Sequence, residues 1–156
     1  MSTKHLLTAA ALVSALTTMG LARSDDPMVG TWKLNVEKSK NAPFKSVTVL
    51  VEPAGEGIRV TVDRVGVDGA PVKWGFTANY DDGEYHPITG STPLGDSVAL
   101  TRVDTNSARV SFRQGGKPTV IQTVVVAADG KTRTITAKGT NARGQAVDSI
   151  TFYDKQ

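Results

Sequence analysis

Histidine and cysteine, on which most nucleophilic and zinc sites depend, are almost absent from this chain. The sequence holds two histidines and no cysteine, and only His86 lies outside the first 22 residues. A Ser-His-Asp or Cys-His site needs a base that a third group holds in place, and zinc needs several nitrogen or sulfur ligands. His86 lies in the sequence Tyr85-His86-Pro87, with no nucleophile signature near it. We therefore predict no catalytic residues, no metal site and no cofactor, and we interpret His86 as a surface loop residue.

Aspartates could supply the paired carboxylates of a glycoside hydrolase, but their positions favour a structural role. Nearly all of them fall in turn sequences, where an aspartate side chain accepts hydrogen bonds from the nearby backbone. The acidic stretch 81–84 is an alternative as a weak calcium site, although it lacks the alternating oxygen ligands of a calcium-binding loop. We interpret the following as turn residues: Asp63, Asp68, Asp81, Asp82, Asp96, Asp104 and Asp129.

Two polar residues share the face of a predicted strand with apolar ones. If Val98 and Leu100 face the protein interior, Arg102 does too, and Gln122 alternates with valines in the same way. A charge in an apolar interior is costly unless it is paired or solvated, so such an arginine often marks the site of an anionic ligand. The alternative is that Arg102, near its strand end, reaches solvent.

Aromatic side chains on neighbouring strands would line the same interior. In the ligand-binding interpretation, Arg102 or Tyr80 meets the polar end of a small apolar or amphipathic ligand. In the alternative interpretation, the aromatic residues are ordinary core and need no ligand. The predicted ligand-binding residues are Trp32, Trp74, Phe76, Tyr80, Arg102, Phe112 and Gln122.

The elements that must position these residues are β-strands. The chain is rich in valine and threonine, its apolar residues alternate with a period near two, and Asp-Gly or Gly-Gly turns recur about every ten residues. Tight turns can join only antiparallel neighbours. We predict an all-β fold, an antiparallel up-and-down meander of eight to ten strands closed as a barrel, which would leave no exposed edge. A curved open sheet or a two-sheet sandwich is the alternative.

Two strands depart from simple alternation. The valine positions shift parity after Val62, to Val65 and Val67, which predicts a β-bulge around Asp63-Arg64. Apart from Gln122 and Thr123, the segment Val120–Val126 is apolar on both faces, which predicts the most buried strand or one covered by another element.

Residues 1–22 are typical of a secretory signal peptide. A short basic start precedes an uncharged run that ends in Gly20-Leu21-Ala22, where the small residues suit signal peptidase. The alternative is a membrane anchor, but the run is marginal for the about 20 apolar residues that a bilayer requires. We expect a cleaved signal peptide at 1–22, a single domain at 23–156, a periplasmic or secreted location and no stable membrane anchor.

The sequence GTWKLN at residues 30–35, opening a β-meander, resembles the calycins, the group of lipocalins, fatty-acid-binding proteins and avidins. The resemblance implies a lipocalin-like barrel for residues 23–156. Two features depart from it. Glu37–Lys45 is too short for the two helices of fatty-acid-binding proteins, and the last strand lacks the arginine that lipocalins pack over the tryptophan, since Arg133 and Arg143 lie earlier. The chain is also similar to small exported bacterial proteins with this opening, which implies no activity.

Composition and charge argue against nucleic acid as a binding partner. The formal charge of +3 is mild and interspersed, without the basic run of a nucleic-acid-binding protein. We expect an exported, non-enzymatic binding protein with a small apolar or amphipathic ligand inside the barrel. The alternative is a protein-interaction module, such as an exported protease inhibitor or an envelope-associated structural domain. A filled interior combined with an exposed apolar patch on Tyr85–Leu94 would favour it.

Overall fold

The computed structural model describes residues 25–156, so the predicted signal peptide at 1–22 lies outside the described residues. This part of the chain forms eleven β-strands. Within it there is no helix, and hence none long and apolar enough to cross a membrane. The strands are β1 Gly30–Lys40, β2 Phe44–Ala54, β3 Gly57–Gly66, β4 Pro71–Asn79, β5 His86–Pro87, β6 Thr89–Gly90, β7 Ser97–Asp104, β8 Ser107–Gln114, β9 Lys117–Val126, β10 Thr132–Thr140 and β11 Ala146–Lys155.

The strands form one antiparallel sheet that curls into a nearly closed barrel. Its order is β5-β7-β8-β9-β10-β11-β1-β2-β3-β4-β6. Consecutive strands pair from β1 to β4 and from β7 to β11, and the last long strand, β11, pairs with the first, β1. The nine long strands are those expected from the turn signals, which confirms the predicted meander of eight to ten strands. Antiparallel neighbours follow from the tight turns between them.

The seam of the barrel lies between β4 and β7. Tyr80 forms an isolated parallel bridge with Leu100, and the backbone N–H of Asp81 donates a 3.0 Å hydrogen bond to the Leu100 carbonyl. Beyond this point β5 pairs with β7 and β6 pairs with β4, each over only two residues. The segment 81–96 therefore seals the seam.

The core lies inside the barrel and follows the alternation of the strands. Inward positions carry valine, leucine and aromatic side chains, while outward positions are mostly polar, as a sheet with one buried face requires. The most completely buried large side chains are Trp32, Phe112, Val98, Val120 and Val126.

The predicted bulge around Asp63-Arg64 is wrong. The register of β3 on β4 runs without a break through Asp63↔Lys73 and Arg64↔Val72, whereas the irregularity lies in β2, between Phe44 and Ser46. Because the parity of β3 does not change, Arg64 follows Val62 onto the inward face. Val65 lines an outer groove instead. A valine suits the outer surface of a strand, so its position alone does not identify the inner face.

The prediction that Val120–Val126 is the most buried strand, or one covered by another element, is also wrong. Ile121 is 49% exposed and Val125 is 46% exposed, while Val120, Val124 and Val126 are buried. The strand therefore has one buried and one solvent-facing side like its neighbours. Single exposed aliphatic residues are common on protein surfaces and do not require a covering element.

Candidate ligand site inside the barrel

The seven residues predicted to bind a ligand all lie on inward positions of their strands. Tyr80, Arg102 and Gln122 are half-buried, and the four others are buried. Trp74 stacks on Phe76, with ring centroids 6.3 Å apart, and meets Phe112 edge-on at 6.2 Å. The set thus lines one interior, and its role in binding stays a prediction. The buried members are Trp32, Trp74, Phe76 and Phe112.

Trp32 lies at the end of the barrel where the described chain begins. Its side chain is fully buried, and its Nε1 donates a 3.0 Å hydrogen bond to the Met28 carbonyl. The Lys155 Nζ lies 5.0 Å from the centroid of the Trp32 rings. A Cβ on Gly30 would come within 2.5 Å of the Lys155 side chain, so the glycine leaves room for this lysine. Residues from both ends of the barrel domain therefore close this end.

Arg102 is neutralised by an aspartate of the segment that precedes β1. Its Nη2 lies 2.5 Å from Asp26 Oδ2 and its Nη1 lies 3.3 Å from Asp26 Oδ1, a two-point ion pair. Its guanidinium carbon lies 3.9 Å from the centroid of the Tyr80 ring. The Arg102 side chain is 23% exposed and that of Asp26 16%, so water is largely excluded from the pair. The charge that suggested an anionic ligand thus has a partner in the chain itself.

Arg133 on β10 is the arginine that the sequence analysis did not assign. It is 5% exposed, and its guanidinium carbon lies 4.8 Å from the Trp32 ring centroid and 4.9 Å from that of Tyr153. The last strand has no arginine, as the sequence indicates, but Arg133 of the strand before it packs over the tryptophan. Among residues 25–156, no carboxylate lies within salt-bridge distance of it and its Nε has no hydrogen-bond partner.

Burial changes the titration of this arginine without removing its charge. Loss of solvation lowers the pKa of Arg133 to about 10, while the nearby Tyr153 and Tyr80 oppose the decrease. A group with that pKa is protonated at neutral pH, so the barrel interior holds a positive charge. Such a charge is stabilised by the faces of Trp32 and Tyr153 through cation–π attraction.

Tyr80 contacts Arg102, and the charges of both inward arginines act on its pKa. Burial raises the pKa of its hydroxyl to about 12, and the positive charges of Arg102 and Arg133 oppose this increase. Its hydroxyl is buried and, like the Trp74 Nε1, has no hydrogen-bond partner in the described part of the chain. Buried polar groups are nearly always hydrogen-bonded, so orphans of this kind often mark a bound water, ion or ligand.

The alternation of inward and outward positions, which placed Arg102 inside the barrel, could also have identified Arg133. Arg133, Ile135 and Ala137 alternate with the threonines of β10, so the inward-parity argument places the arginine inside. The comparison with lipocalins was limited to the last strand, which has no arginine. In the register of β10 on β11, Arg133 pairs with Tyr153, so an arginine of the neighbouring strand also lies beside the last strand.

His86 differs from its prediction as a surface loop residue. It lies in β5 at the seam, pairs with Val98 and places its Nε2 2.7 Å from Asp82 Oδ2. The backbone N–H of Glu84 and the His86 side chain hold the pKa of the Asp82 carboxyl below its usual value. Within the described residues, no group of three His, Cys, Asp or Glu side chains is arranged to hold a metal ion.

Two open grooves lie on the side of the barrel formed by β2, β3 and β4. The larger, of about 660 Å³, follows the seam, with Arg59 and Lys73 beside Thr89. The smaller, of about 290 Å³, has Ser46, Thr48 and Val65 in its wall. Neither groove includes Arg102 or Arg133.

No protein-family model matches the chain, and no curated protein matches it either.

Proposed function

We propose that this protein is an exported, non-enzymatic binding protein that holds a small amphipathic ligand inside its barrel, with the acidic end of the ligand on Arg133. The observation that carries this proposal is the burial of Arg133 in a part of the barrel where the described residues supply no carboxylate partner. The Tyr80 hydroxyl and the Trp74 Nε1 supply two further buried donors without partners among residues 25–156.

The cost of burying the Arg133 charge favours the binding of an anion beside it. Burial lowers the pKa of Arg133 to about 10, which corresponds to a burial cost on the order of 3 kcal/mol. Two cation–π contacts offset part of that cost, at about 0.5–2 kcal/mol each. A carboxylate that accepts hydrogen bonds from the guanidinium would add about 1.5–3 kcal/mol. The aromatic residues Trp74, Phe76 and Phe112 provide the apolar surroundings that suit a hydrocarbon portion.

The alternative, a protein-interaction module, predicted a filled interior combined with an exposed apolar patch on Tyr85–Leu94. Tyr85 is half-buried beneath Arg113, whose guanidinium carbon lies 3.8 Å from its ring centroid. Ile88 and Leu94 pack against the core. Because this segment turns its apolar side chains towards the seam, the ligand-binding proposal is the better supported of the two.

Export is the second part of the proposal, and the sequence of residues 1–22 supports it. The test is the intact mass of the protein recovered from the extracytoplasmic fraction of cells expressing the whole chain. We expect a polypeptide that begins at Arg23. A product that keeps residues 1–22 and stays with the cells would contradict export.

The binding test compares Arg133→Met with Arg109→Met in a chain of residues 23–156. Arg109 is exposed on β8, and its substitution removes the same charge, so Arg109→Met is the matched control. We expect wild-type protein to bind dodecanoate at least about tenfold more tightly than dodecanol, about 1.4 kcal/mol, in isothermal titration calorimetry. Arg133→Met should abolish this preference and Arg109→Met should keep it.

The free energy of unfolding separates a ligand role for Arg133 from a structural one. Replacing a buried charge with an apolar side chain of similar size is often neutral or stabilising. Arg133→Met should therefore stay within about 1 kcal/mol of wild type while losing the carboxylate preference. A retained preference, or equal affinity of the wild-type protein for dodecanoate and dodecanol, would refute the proposal.

A further inference from the structure

A short segment before β1 closes the barrel end next to Arg133. Met28 is 3% exposed, and its carbonyl accepts the hydrogen bond from Trp32 Nε1. Asp26 organises the segment, since its Oδ1 accepts a 2.9 Å hydrogen bond from the Met28 N–H and its carbonyl accepts one from the Val29 N–H. The segment 26–29 is therefore a plug that is anchored through one aspartate.

The same aspartate sits on Arg102 as a bound carboxylate would. Both oxygens face the guanidinium fork, and the Tyr80 ring lies 3.9 Å from the guanidinium carbon. A planar fork that meets two carboxylate oxygens, with an aromatic ring behind it, is the geometry by which arginine recognises carboxylates. The Asp26 side chain thus shows which chemical group this position takes.

We propose that Arg102 is a second carboxylate subsite and that Asp26 is its internal occupant, which competes with the acidic group of an incoming ligand. This inference rests on the proposed function, because the ligand enters the same barrel, but it concerns a different arginine. Tyr80 contacts Arg102 and is electrostatically coupled to Arg133, so one side chain joins the two subsites.

Exchange of one carboxylate for another explains how the plug can open. Removing Asp26 alone would leave Arg102 as a largely buried, uncompensated charge, which is strongly unfavourable. A ligand carboxylate that replaces Asp26 leaves no such charge, and Asp26 moves into water with its segment. The tethered Asp26 acts at an effective concentration on the order of millimolar, so its removal should strengthen the binding of weak acids.

The test uses Asp26→Asn in residues 23–156, with Asp25→Asn as the matched control. Asp25 is exposed and precedes Asp26 in the chain, and its substitution removes the same charge. We expect Asp26→Asn to bind dodecanoate at least about tenfold more tightly than wild type, with unchanged affinity for dodecanol. Asp25→Asn should behave as wild type.

A second measurement on the wild-type protein covers the case in which Asp26→Asn does not fold. Dodecanoate should speed hydrogen exchange of the Met28 and Val29 amides, which both donate to Asp26, and dodecanol should not. Unchanged or weaker dodecanoate binding by folded Asp26→Asn, or unchanged exchange at these amides, would overturn the inference. If Arg133→Met still abolishes the carboxylate preference, only this inference fails. If neither wild type nor Asp26→Asn prefers dodecanoate over dodecanol, the proposed function fails with it.

Discussion

At the scale of single residues, the two inward arginines differ in their partners. Arg102 meets Asp26 in a two-point ion pair, whereas Arg133 has two aromatic faces and, within residues 25–156, no carboxylate. The same residue type on the inward face of a strand can therefore form an ion pair or, within the described residues, remain without a carboxylate partner. Tyr80 is affected by both arginines, because its ring contacts Arg102 and its pKa depends on the charges of Arg102 and Arg133.

Tyr80→Phe should change the alkaline behaviour of the protein. The folded-state pKa of Tyr80, about 12, lies above its ordinary value of 10.0, so its contribution to stability is complete below pH 10 and is lost as pH rises towards 12. Relative to Tyr80→Phe, wild type should lose about 2 kcal/mol of unfolding free energy across that range. Denaturant unfolding at several pH values measures the loss, and parallel curves for the two proteins would contradict it.

A second signature is the phenolate absorbance. The chain has three tyrosines, and Tyr80→Phe should remove a component that ionises near pH 12 in the folded protein. The burial of Tyr153 also raises its pKa, so one late component should persist in the variant.

At the scale of elements, the continuous register of β3 decides which side chains enter the barrel. Val62 and Arg64 lie on the inward face, whereas Val65 lies beside Ser46 and Thr48 in an outer groove. The Arg64 guanidinium carbon lies 5.1 Å from the Phe44 ring centroid, and burial lowers the pKa of Arg64. A bulge at Asp63-Arg64 would have exchanged these roles.

The pair Val62→Thr and Val65→Thr tests the register of β3. Both substitutions introduce the same hydroxyl, but Val62 is 6% exposed, whereas Val65 lies in an open groove with Ser46 and Thr48. We expect Val62→Thr to lower the free energy of unfolding by about 1–3 kcal/mol, because it buries a polar group. Val65→Thr should change it by less than about 0.5 kcal/mol. Equal losses in chemical denaturation would show that β3 has the other parity.

At the scale of the whole molecule, the barrel closes in two different ways. β11 pairs with β1 and β10 and joins the two ends of the meander. The seam between β4 and β7 depends instead on one bridge and on the two-residue strands β5 and β6. The seam is thus the part of the sheet with the fewest backbone hydrogen bonds to break.

Hydrogen exchange followed by mass spectrometry should show this asymmetry. We expect peptides from the segment 81–96 to exchange by local opening, at least about tenfold faster than peptides from β10 and β11, which exchange through global unfolding. Equal protection of the seam and of the β10–β11 pair would contradict the expectation. The comparison needs no substitution, so it reports on the native sheet.

Most of the strand pattern could be predicted from the sequence. The nine long strands follow from local alternation and from Asp-Gly and Gly-Gly turns, which accept positive φ at low cost. The inward parity of Trp32, Trp74 and Arg102 follows from the same alternation. The two errors, at Asp63-Arg64 and at Val120–Val126, have one cause, because valine favours a strand whether its side chain faces the core or water.

The sequence by itself determined the fold class and which residues share a face, because both depend on neighbours a few positions apart. Only the tertiary structure decided which arginine has a partner. Asp26 and Arg102 are 76 positions apart and meet because the barrel closes. Arg133 lies over Trp32 for the same reason. Burial and pairing of charge depend on contacts between distant strands, and local alternation carries no information about those contacts.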